Sequence, residues 1–199
     1  MIFQNSKELL ATDIKYKTIY ADPPWHEHGG ITRGANRHYT LLKTPEILNI
    51  FQTILPIINA DAHFYIWTTN NFLPDALWII NELNFKYITT ITWLKEKIGL
   101  GQYYRGRTEH CLFATRGSLK YKYEAHNKRM QGVTGFRESR GKTHSRKPNR
   151  MRVMIERVSR PPYLELFARQ AHKGWDTFGN ELDTITQQSI RDILEIKPR

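Results

Sequence analysis

The sequence predicts an α/β protein in which a mostly parallel β-sheet carries helices on both faces. Short apolar runs rich in β-branched and aromatic residues alternate with longer segments whose apolar residues recur every three or four positions. Glycine, proline and polar residues separate these runs, as expected for turns. The chain has 199 residues, of which 40% are hydrophobic. This is enough for one sizeable core, so we expect a single domain over residues 1–199.

Each predicted element has its own local signal. The strands are short apolar runs, predicted over residues 17–22, 62–69, 85–95, 108–117 and 163–169. Residues 174–182 predict a last strand that runs into a turn or helix. Helices are predicted over residues 44–55, 71–84 and 147–158. Thr44 is expected to cap the first helix, with Pro45 at its first position. Strands that alternate with helices indicate βαβ units and therefore a parallel sheet.

Three segments lack a periodic pattern. Residues 98–107 are punctuated by glycines and predict a loop. Residues 118–147 are polar, and a loop of that length in a compact domain is usually functional or disordered. The tail from Asp183 is polar, and we expect it to be peripheral.

Several classes of protein are disfavoured by composition. The single cysteine, Cys111, excludes an internal disulfide framework and a cysteine-rich zinc site, and its apolar strand predicts an inert buried thiol. The first 17 residues lack the apolar stretch of a signal peptide. No uninterrupted apolar run approaches the length of a membrane span. We therefore expect a soluble, cytoplasmic protein that does not bind a membrane.

Positive charge is concentrated in one part of the chain. Lysine and arginine total 30 against 19 acidic residues, which gives a net charge of +11. Residues 120–152 hold eleven of the cations and two of the acids. Such runs are often only solvated surface, but a concentrated basic segment is also typical of contact with a phosphate backbone. The residues predicted to bind nucleic acid are Lys128, Arg129, Arg137, Arg140, Lys142 and Arg146.

The block "ADPPW" ends the first predicted strand, and ligands of α/β proteins bind at such strand ends. Asp22 offers a carboxylate, Pro23 offers a carbonyl, and the Pro23–Pro24 pair fixes the backbone between them. Two converging acceptors suit an exocyclic amine, whose nitrogen they would orient and polarise. Trp25 would line or stack on the base. Taken alone, the block is equally compatible with a structural turn.

Other polar residues near these blocks have simpler interpretations. His26 and His28 resemble a metal pair, but no third ligand is placed by the sequence, so we expect loop residues and no metal. Glu109 and His110 begin a strand and are expected to form structural hydrogen bonds. Trp67, Trp93 and Trp175 are expected in the core.

Five blocks occur in order along the chain: "ADPPW", "FYIWTTN", "TEHCLFATRG", "HSRKP", and "ELFAR" followed by "GWDTFGNEL". Together they resemble the methyltransferase-A family, the DPPW-type N6-adenine methyltransferases that include the mRNA adenosine methyltransferases. The resemblance extends from about Tyr20 to Leu182. No single block is specific, but five in this order are.

The resemblance implies a Rossmann-like methyltransferase that uses S-adenosylmethionine and has the permuted order in which "DPPW" precedes the cofactor-binding strand. It implies a catalytic turn formed by Asp22, Pro23, Pro24 and Trp25. Asp22 would bind the target amine beside the cofactor, and Tyr39 would join Trp25 in the base pocket. The implied cofactor contacts are Asp22, Lys147, Phe167, Arg169, Asn180 and Glu181.

The sequence departs from the family in two respects. Many members carry an acid after the Lys-Pro pair, whereas Asn149 and Arg150 follow it here. The long extra regions of the eukaryotic RNA-modifying members are absent, as in compact bacterial or phage enzymes that act on DNA. A glycine-rich dinucleotide loop is also missing, so a nicotinamide enzyme is unsupported.

We therefore expect methyl transfer to the N6 amine of adenine in duplex DNA, with the base flipped into the pocket. The expected setting is a bacterial or phage-infected cell, and a homodimer is compatible with the sequence. Two alternatives stay open: methylation of RNA adenosine or of the cytosine amine, and a catalytically silent nucleic-acid-binding subunit of the same fold. The intact "DPPW" block argues against the silent subunit.

Overall fold

The computed structural model describes residues 1–26, 41–99, 103–120, 132–139 and 147–179. The helices are α1 (Ser6–Leu10), α2 (Thr44–Ile54), α3 (Leu73–Glu82) and α4 (Asn149–Val158), with short 3-10 turns at Leu55–Ile57 and Asn70–Phe72. The strands are β1 (Tyr16–Ala21), β2 (Ile58–Thr68), β3 (Lys86–Leu94), β4 (Thr108–Arg116), β5 (Gly135–Arg137), β6 (Tyr163–Leu166) and β7 (Trp175–Phe178).

The described strands form one seven-stranded sheet in the order β5-β3-β4-β2-β1-β6-β7. All neighbouring pairs are parallel except the two that involve β4, which is antiparallel to both β2 and β3. No helix separates β3 from β4 in the described chain, and strands joined without a crossover helix pair antiparallel. The predicted α/β class and mostly parallel sheet are confirmed.

Each face of the sheet is covered by its own helices. Ile19 and Ala21 of β1 pack in a cluster with α2 and α3, whereas Tyr20 belongs to a second cluster with α4. The same alternation continues along β2 and β4, because successive side chains of a strand point to opposite faces. Burying one such aliphatic or aromatic side chain fully stabilises the folded state by about 1.5–3 kcal/mol. The two clusters show that helices lie on both faces of the sheet, as predicted.

The long polar segment contains a strand that the sequence did not predict. Residues 118–147 were predicted to be loop, and this is wrong for Gly135–Arg137, which pairs in parallel with β3. Phe136 is buried in the cluster with α4, and the Trp93 indole N–H donates a 2.8 Å hydrogen bond to the Glu138 carbonyl. A three-residue strand with one buried side chain is too short to show periodicity.

Two helix starts also differ from expectation. The N-cap of α2 is Lys43 rather than Thr44, because the Glu46 carboxylate accepts the Lys43 backbone N–H at 2.6 Å. The Thr44 hydroxyl instead donates to Asp75 of α3. Helix α1 was not predicted; it is five residues long and is capped by the Asn5 side chain. No helix within the described part of the chain is long and apolar enough to cross a membrane.

Gly117 ends β4 in a conformation that an alanine would disturb. Its φ is +68°, and a Cβ there would lie 2.1 Å from Asp61 Oδ1 and 2.8 Å from the Ala60 carbonyl oxygen. We expect Gly117→Ala to lower the free energy of unfolding by about 1–2 kcal/mol for the left-handed backbone, and further for the clash. Gly174→Ala is the control, since its φ is +83° with no atom within 4 Å of the added carbon. Urea unfolding would measure both, and equal losses would contradict the role of the clash.

Candidate active site

The candidate site lies at the carboxyl end of β1, where the sheet order reverses. From β1 the chain continues through α2 to β2 on one side. Strand β6, which follows β5 and α4 in the chain, lies on the other side of β1. Such reversal points form the ligand crevice of α/β sheets. Because β4 is antiparallel, its first residues lie at the same edge, with His110 opposite Thr68 and Thr108 opposite Leu94.

The Pro-Pro turn that follows β1 is fixed by backbone hydrogen bonds. The Trp25 N–H donates to the Pro23 carbonyl at 3.0 Å, and the Leu42 N–H donates to the Pro24 carbonyl at 2.8 Å. The His26 N–H in turn donates to the Leu42 carbonyl at 3.0 Å. Both prolines also have restricted φ angles. The turn therefore holds Asp22 and the Pro23 carbonyl in a fixed relation.

Trp25 attaches this turn to the end of β2. Its side chain is only 7% exposed, its indole N–H donates to the Trp67 carbonyl at 2.9 Å, and its ring stacks on Phe72 at 5.3 Å. One face of the indole is thus already occupied by protein. Trp25 therefore fixes the turn to β2. Its predicted contact with a substrate base stays a prediction.

A chain of four charged side chains crosses the site. The Lys147 ammonium lies 2.6 and 2.7 Å from the two carboxylate oxygens of Asp22 and 3.3 Å from Glu109 Oε2. Lys95 pairs with the other oxygen of Glu109. These four side chains, which are 11–18% exposed, are called the ion-pair chain below. Two positive and two negative charges balance within it.

Burial and charge act against each other on these groups. Burial alone would raise the pKa of Glu109, but the ammonium groups of Lys147 and Lys95 lower that pKa to about 2. Burial would likewise lower the pKa of Lys147, and the carboxylates of Asp22 and Glu109 instead raise it. Glu109 and Lys147 are therefore charged across the physiological range of pH.

The end of β6 approaches β7 very closely. Phe167 has a φ of +58°, is buried, and meets Phe51 edge-on at 6.0 Å. The next residue, Ala168, donates its N–H to the Phe178 carbonyl at 3.1 Å. A Cβ on Gly179 would lie 2.1 Å from the Ala168 carbonyl oxygen, so only glycine fits there. Arg169 follows this constrained corner at the site edge of the sheet.

A second buried ion pair lies beneath the site. Arg152 of α4 binds the Glu165 carboxylate through two hydrogen bonds of 2.9 and 2.7 Å. Its guanidinium lies 5.7 Å from the Tyr20 ring centroid, and the Tyr20 hydroxyl accepts the Trp67 indole N–H at 2.6 Å. This network joins β1, β2, β6 and α4 directly behind Asp22.

The structure brings together some of the predicted residues. Asp22 and Lys147 are in contact although 125 positions separate them. Pro23, Pro24 and Trp25 share the turn, and Phe167 and Arg169 follow β6. Arg137 is exposed on β5, opposite Leu94 of β3. The other predicted residues lie outside the described part of the chain: Tyr39, Lys128, Arg129, Arg140, Lys142, Arg146, Asn180 and Glu181.

Sequence reasoning missed two members of the ion-pair chain, Lys95 and Glu109. Glu109 was expected to be only a structural hydrogen-bonder, whereas it pairs with both lysines of the ion-pair chain. A carboxylate at the start of an otherwise apolar strand was the available signal, because buried acids almost always have a partner. His110 matches its structural interpretation, with hydrogen bonds to Asn70 and Thr92. Cys111 is a buried free thiol, and burial raises its pKa well above the usual range.

Comparison with known proteins gives consistent results. The model of the MT-A70 family matches residues 16–181. A probable N(6)-adenosine-methyltransferase MT-A70-like of Oryza sativa subsp. japonica is 29% identical over 182 residues, covering 86% of this chain and 24% of the plant protein. The N(6)-adenosine-methyltransferase subunit METTL3 of Danio rerio is 28% identical over 196 residues, covering 93% and 31%. This chain thus spans about a quarter to a third of the length of these relatives.

A shorter relative matches over most of both chains. The type II methyltransferase M.MunI of Mycoplasma sp. is 30% identical over 193 residues, which cover 84% of this chain and 78% of that protein.

The lowered pKa of Glu109 makes the stability of the protein depend on pH. A carboxyl whose folded pKa is about 2 rather than 4.5 stabilises the fold above pH 4.5, and this contribution is lost as the pH falls from 4.5 to 2. Between pH 4.5 and pH 2 the free energy of unfolding should fall less steeply in Glu109→Gln than in the wild type. The difference in this fall should be at most about 3 kcal/mol. Urea unfolding at a series of pH values measures it. Glu82→Gln, at an exposed carboxylate of α3, is the control, and identical slopes in the two variants would argue against the charge pairing.

Proposed function

Because the chain belongs to the MT-A70 family of S-adenosylmethionine-dependent methyltransferases, we propose that it transfers a methyl group from S-adenosylmethionine to the N6 amine of adenine in DNA. One observation carries this proposal: a carboxylate at the reversal point of the sheet, Asp22, is fixed by a rigid Pro-Pro turn and by a lysine that is distant in the sequence. The family match and the turn were both expected from the five sequence blocks.

The geometry of the turn suits an amine that bears two N–H bonds. Asp22 offers carboxylate oxygens, and the Pro23 carbonyl keeps one lone pair after accepting the Trp25 N–H. When both acceptors bind the amine, its nitrogen lone pair is turned away from the ring and towards the incoming methyl group. Acceptors that are already in place need no reorganisation during the reaction. Asp22 thus positions and polarises the nucleophile.

The charged groups at the site also fit the proposed cofactor. S-adenosylmethionine supplies a methyl group on a sulfonium and carries an amino-acid carboxylate. The Lys147 ammonium has three N–H donors and already pairs with the carboxylates of Asp22 and Glu109. It would attract the carboxylate of the cofactor as a point charge. Arg169 and the corner at Phe167 would hold the nucleoside portion. Asn180 and Glu181 complete the set of proposed contacts.

A stacked adenine cannot present its amine to this edge of the sheet, so the base would be flipped out of the duplex. The basic residues Lys128, Arg129, Arg137, Arg140, Lys142 and Arg146 would hold the phosphates while the base is extruded. Arg137 supports this path, because β5 places it exposed beside the carboxyl end of β3.

Similarity over most of both chains to a type II methyltransferase favours DNA as the substrate. The N(6)-adenosine-methyltransferases match only a part of their length. Matched DNA and RNA oligonucleotides, and DNA with the candidate adenines replaced by cytosine, separate the three acceptors in a tritiated-methyl assay. Sequencing of methylated DNA from cells that express the protein would identify base and context together. Methylation confined to RNA or to cytosine would overturn the proposal.

Replacing Asp22 tests the proposed chemistry. We expect Asp22→Ala to lower methyl transfer by at least about 10²-fold, since it removes a fixed acceptor of the target amine. Asp22→Asn keeps the size of the side chain but loses its charge and its pairing with Lys147, and it should also be strongly impaired. Circular dichroism and urea unfolding would show that each variant is folded. Wild-type turnover in either variant would exclude the mechanism.

The basic segment should determine how DNA binding depends on salt. Each phosphate contact contributes about 0.9 to the slope of log affinity against log salt. We expect replacement of Lys128, Arg129, Arg137 and Arg140 by alanine to flatten this slope and raise the KM for DNA. Cofactor affinity should change little, because none of the four is a proposed cofactor contact.

A control with the same change of charge is available at the opposite end of the sheet. Lys17 and Lys86 stand near the amino ends of β1 and β3, Arg157 lies in the last turn of α4, and Lys173 precedes β7. Alanine at these four positions should leave the salt slope near that of the wild type. Equal slopes in both quadruple variants would place the DNA path elsewhere.

A further inference from the structure

The loop between β3 and β4 is built as a stiff projection from the edge of the sheet that bears Asp22. The Lys95 N–H donates to the Arg107 carbonyl at 2.8 Å, and the Gly99 N–H donates to the Gly106 carbonyl at 2.7 Å. The Arg107 guanidinium also donates to the Lys95 and Glu96 carbonyls at 3.3–3.4 Å. The stem of the loop thus continues the pairing of the two strands beyond the sheet.

The described part of the loop tip carries aromatic rings that are almost wholly in solvent. Tyr103 is 98% exposed, Tyr104 is 90% exposed, and Ile98 is 63% exposed. Large apolar side chains grouped on an exposed projection indicate an interaction site rather than a contribution to the core. Lys97 and Arg105 flank them, so the tip combines aromatic rings with positive charge.

The base of this loop is tied to the proposed catalytic residues. Lys95, the first residue after β3, begins the ion-pair chain that continues through Glu109 and Lys147 to Asp22. The tip therefore stands at the rim of the same site, on the opposite side of Glu109 from Asp22. A strand whose adenine reached Asp22 would pass close to this rim.

We propose that Tyr103 and Tyr104 stack on bases of the DNA strand that carries the target adenine, while Lys97 and Arg105 meet its phosphates. This inference rests on the proposed function. Aromatic rings bind bases by stacking without reading their sequence, and flanking cations track the backbone. Extruding a base leaves its neighbours with uncovered faces, which exposed tyrosine rings can cover.

A protein partner fits the tip less well than DNA. A stable protein interface buries about 800 Å² on each partner and has a core depleted of charge. Two tyrosines and one isoleucine offer only a small apolar area, and it is flanked closely by two cations. That combination complements an anionic chain with π faces.

The test compares a double variant, Tyr103→Ala with Tyr104→Ala, and its conservative partner, Tyr103→Phe with Tyr104→Phe. Fluorescence anisotropy measures binding to a mixed-sequence duplex and to a duplex with the context that the wild-type protein methylates. We expect the alanine variant to bind about tenfold more weakly with an unchanged salt slope, because stacking releases no counterions. The phenylalanine variant should bind like the wild type, and calorimetry should show unchanged binding of S-adenosylmethionine in both.

A third variant, Lys97→Ala with Arg105→Ala, should instead lower the salt slope by about two units. Wild-type affinity of the variant with Tyr103→Ala and Tyr104→Ala for both duplexes would overturn the inference. So would a change in the oligomeric state of that variant, measured by sedimentation, without a change in its DNA binding. If the wild-type protein methylates no nucleic acid, the proposed function fails instead. The dependence of duplex binding on the two tyrosines still decides the role of the loop in that case.

Discussion

The ion pair between Asp22 and Lys147 is the contact on which the rest of the site depends. It joins the end of β1 to the residue pair that leads into α4, across 125 positions of sequence. Removing two such charges from water costs several kcal/mol per ion, and one pair alone rarely recovers this cost. Glu109 and Lys95 extend the pair into a balanced chain of four. Each buried charge then has an opposite charge within reach.

The direction of β4 makes this charge pairing possible. In a fully parallel sheet the first residues of β4 would lie at the edge opposite Asp22. Since β4 runs against its neighbours, Glu109 lies at the carboxyl edge and can face Lys147. The loop that precedes β4 is brought to the same edge for the same reason. One reversal of strand direction thus supplies both the acid of the site and the projecting tyrosines.

Rigid support surrounds the proposed acceptors on both faces of the sheet. Trp25 ties the Pro-Pro turn to β2, and on the α4 face the Arg152–Glu165 pair locks α4 to β6 beneath Tyr20. A charged pair at that depth contributes little net stability but fixes geometry, because breaking it would leave a buried charge unpaired. Fixed acceptors act on a reacting amine without first having to reorient.

The sequence predicted most of the fold because the larger elements carry clear local signals. Strand β2 contains an aromatic and β-branched run that is buried throughout, and helix α3 buries residues spaced by three and four. Strand β5 escaped prediction, since three residues around Phe136 carry no period and its place depends on an edge of β3 distant in sequence. Glu109 was missed for a related reason: its partners are set by strand direction, which local pattern does not determine. Lys147 was found only through the family resemblance.

Charge is divided between the site and the rest of the chain in a way that fits the proposed reaction. The ion-pair chain is neutral as a unit, so the net charge of +11 lies outside it, mostly in residues 120–152. Exposed charges act over a distance that salt shortens to about 8 Å at physiological ionic strength, whereas buried pairs are screened far less. Salt therefore screens the exposed cations that the structure describes in this segment, Lys120, Arg137 and Arg150, and leaves the geometry at Asp22 nearly unchanged.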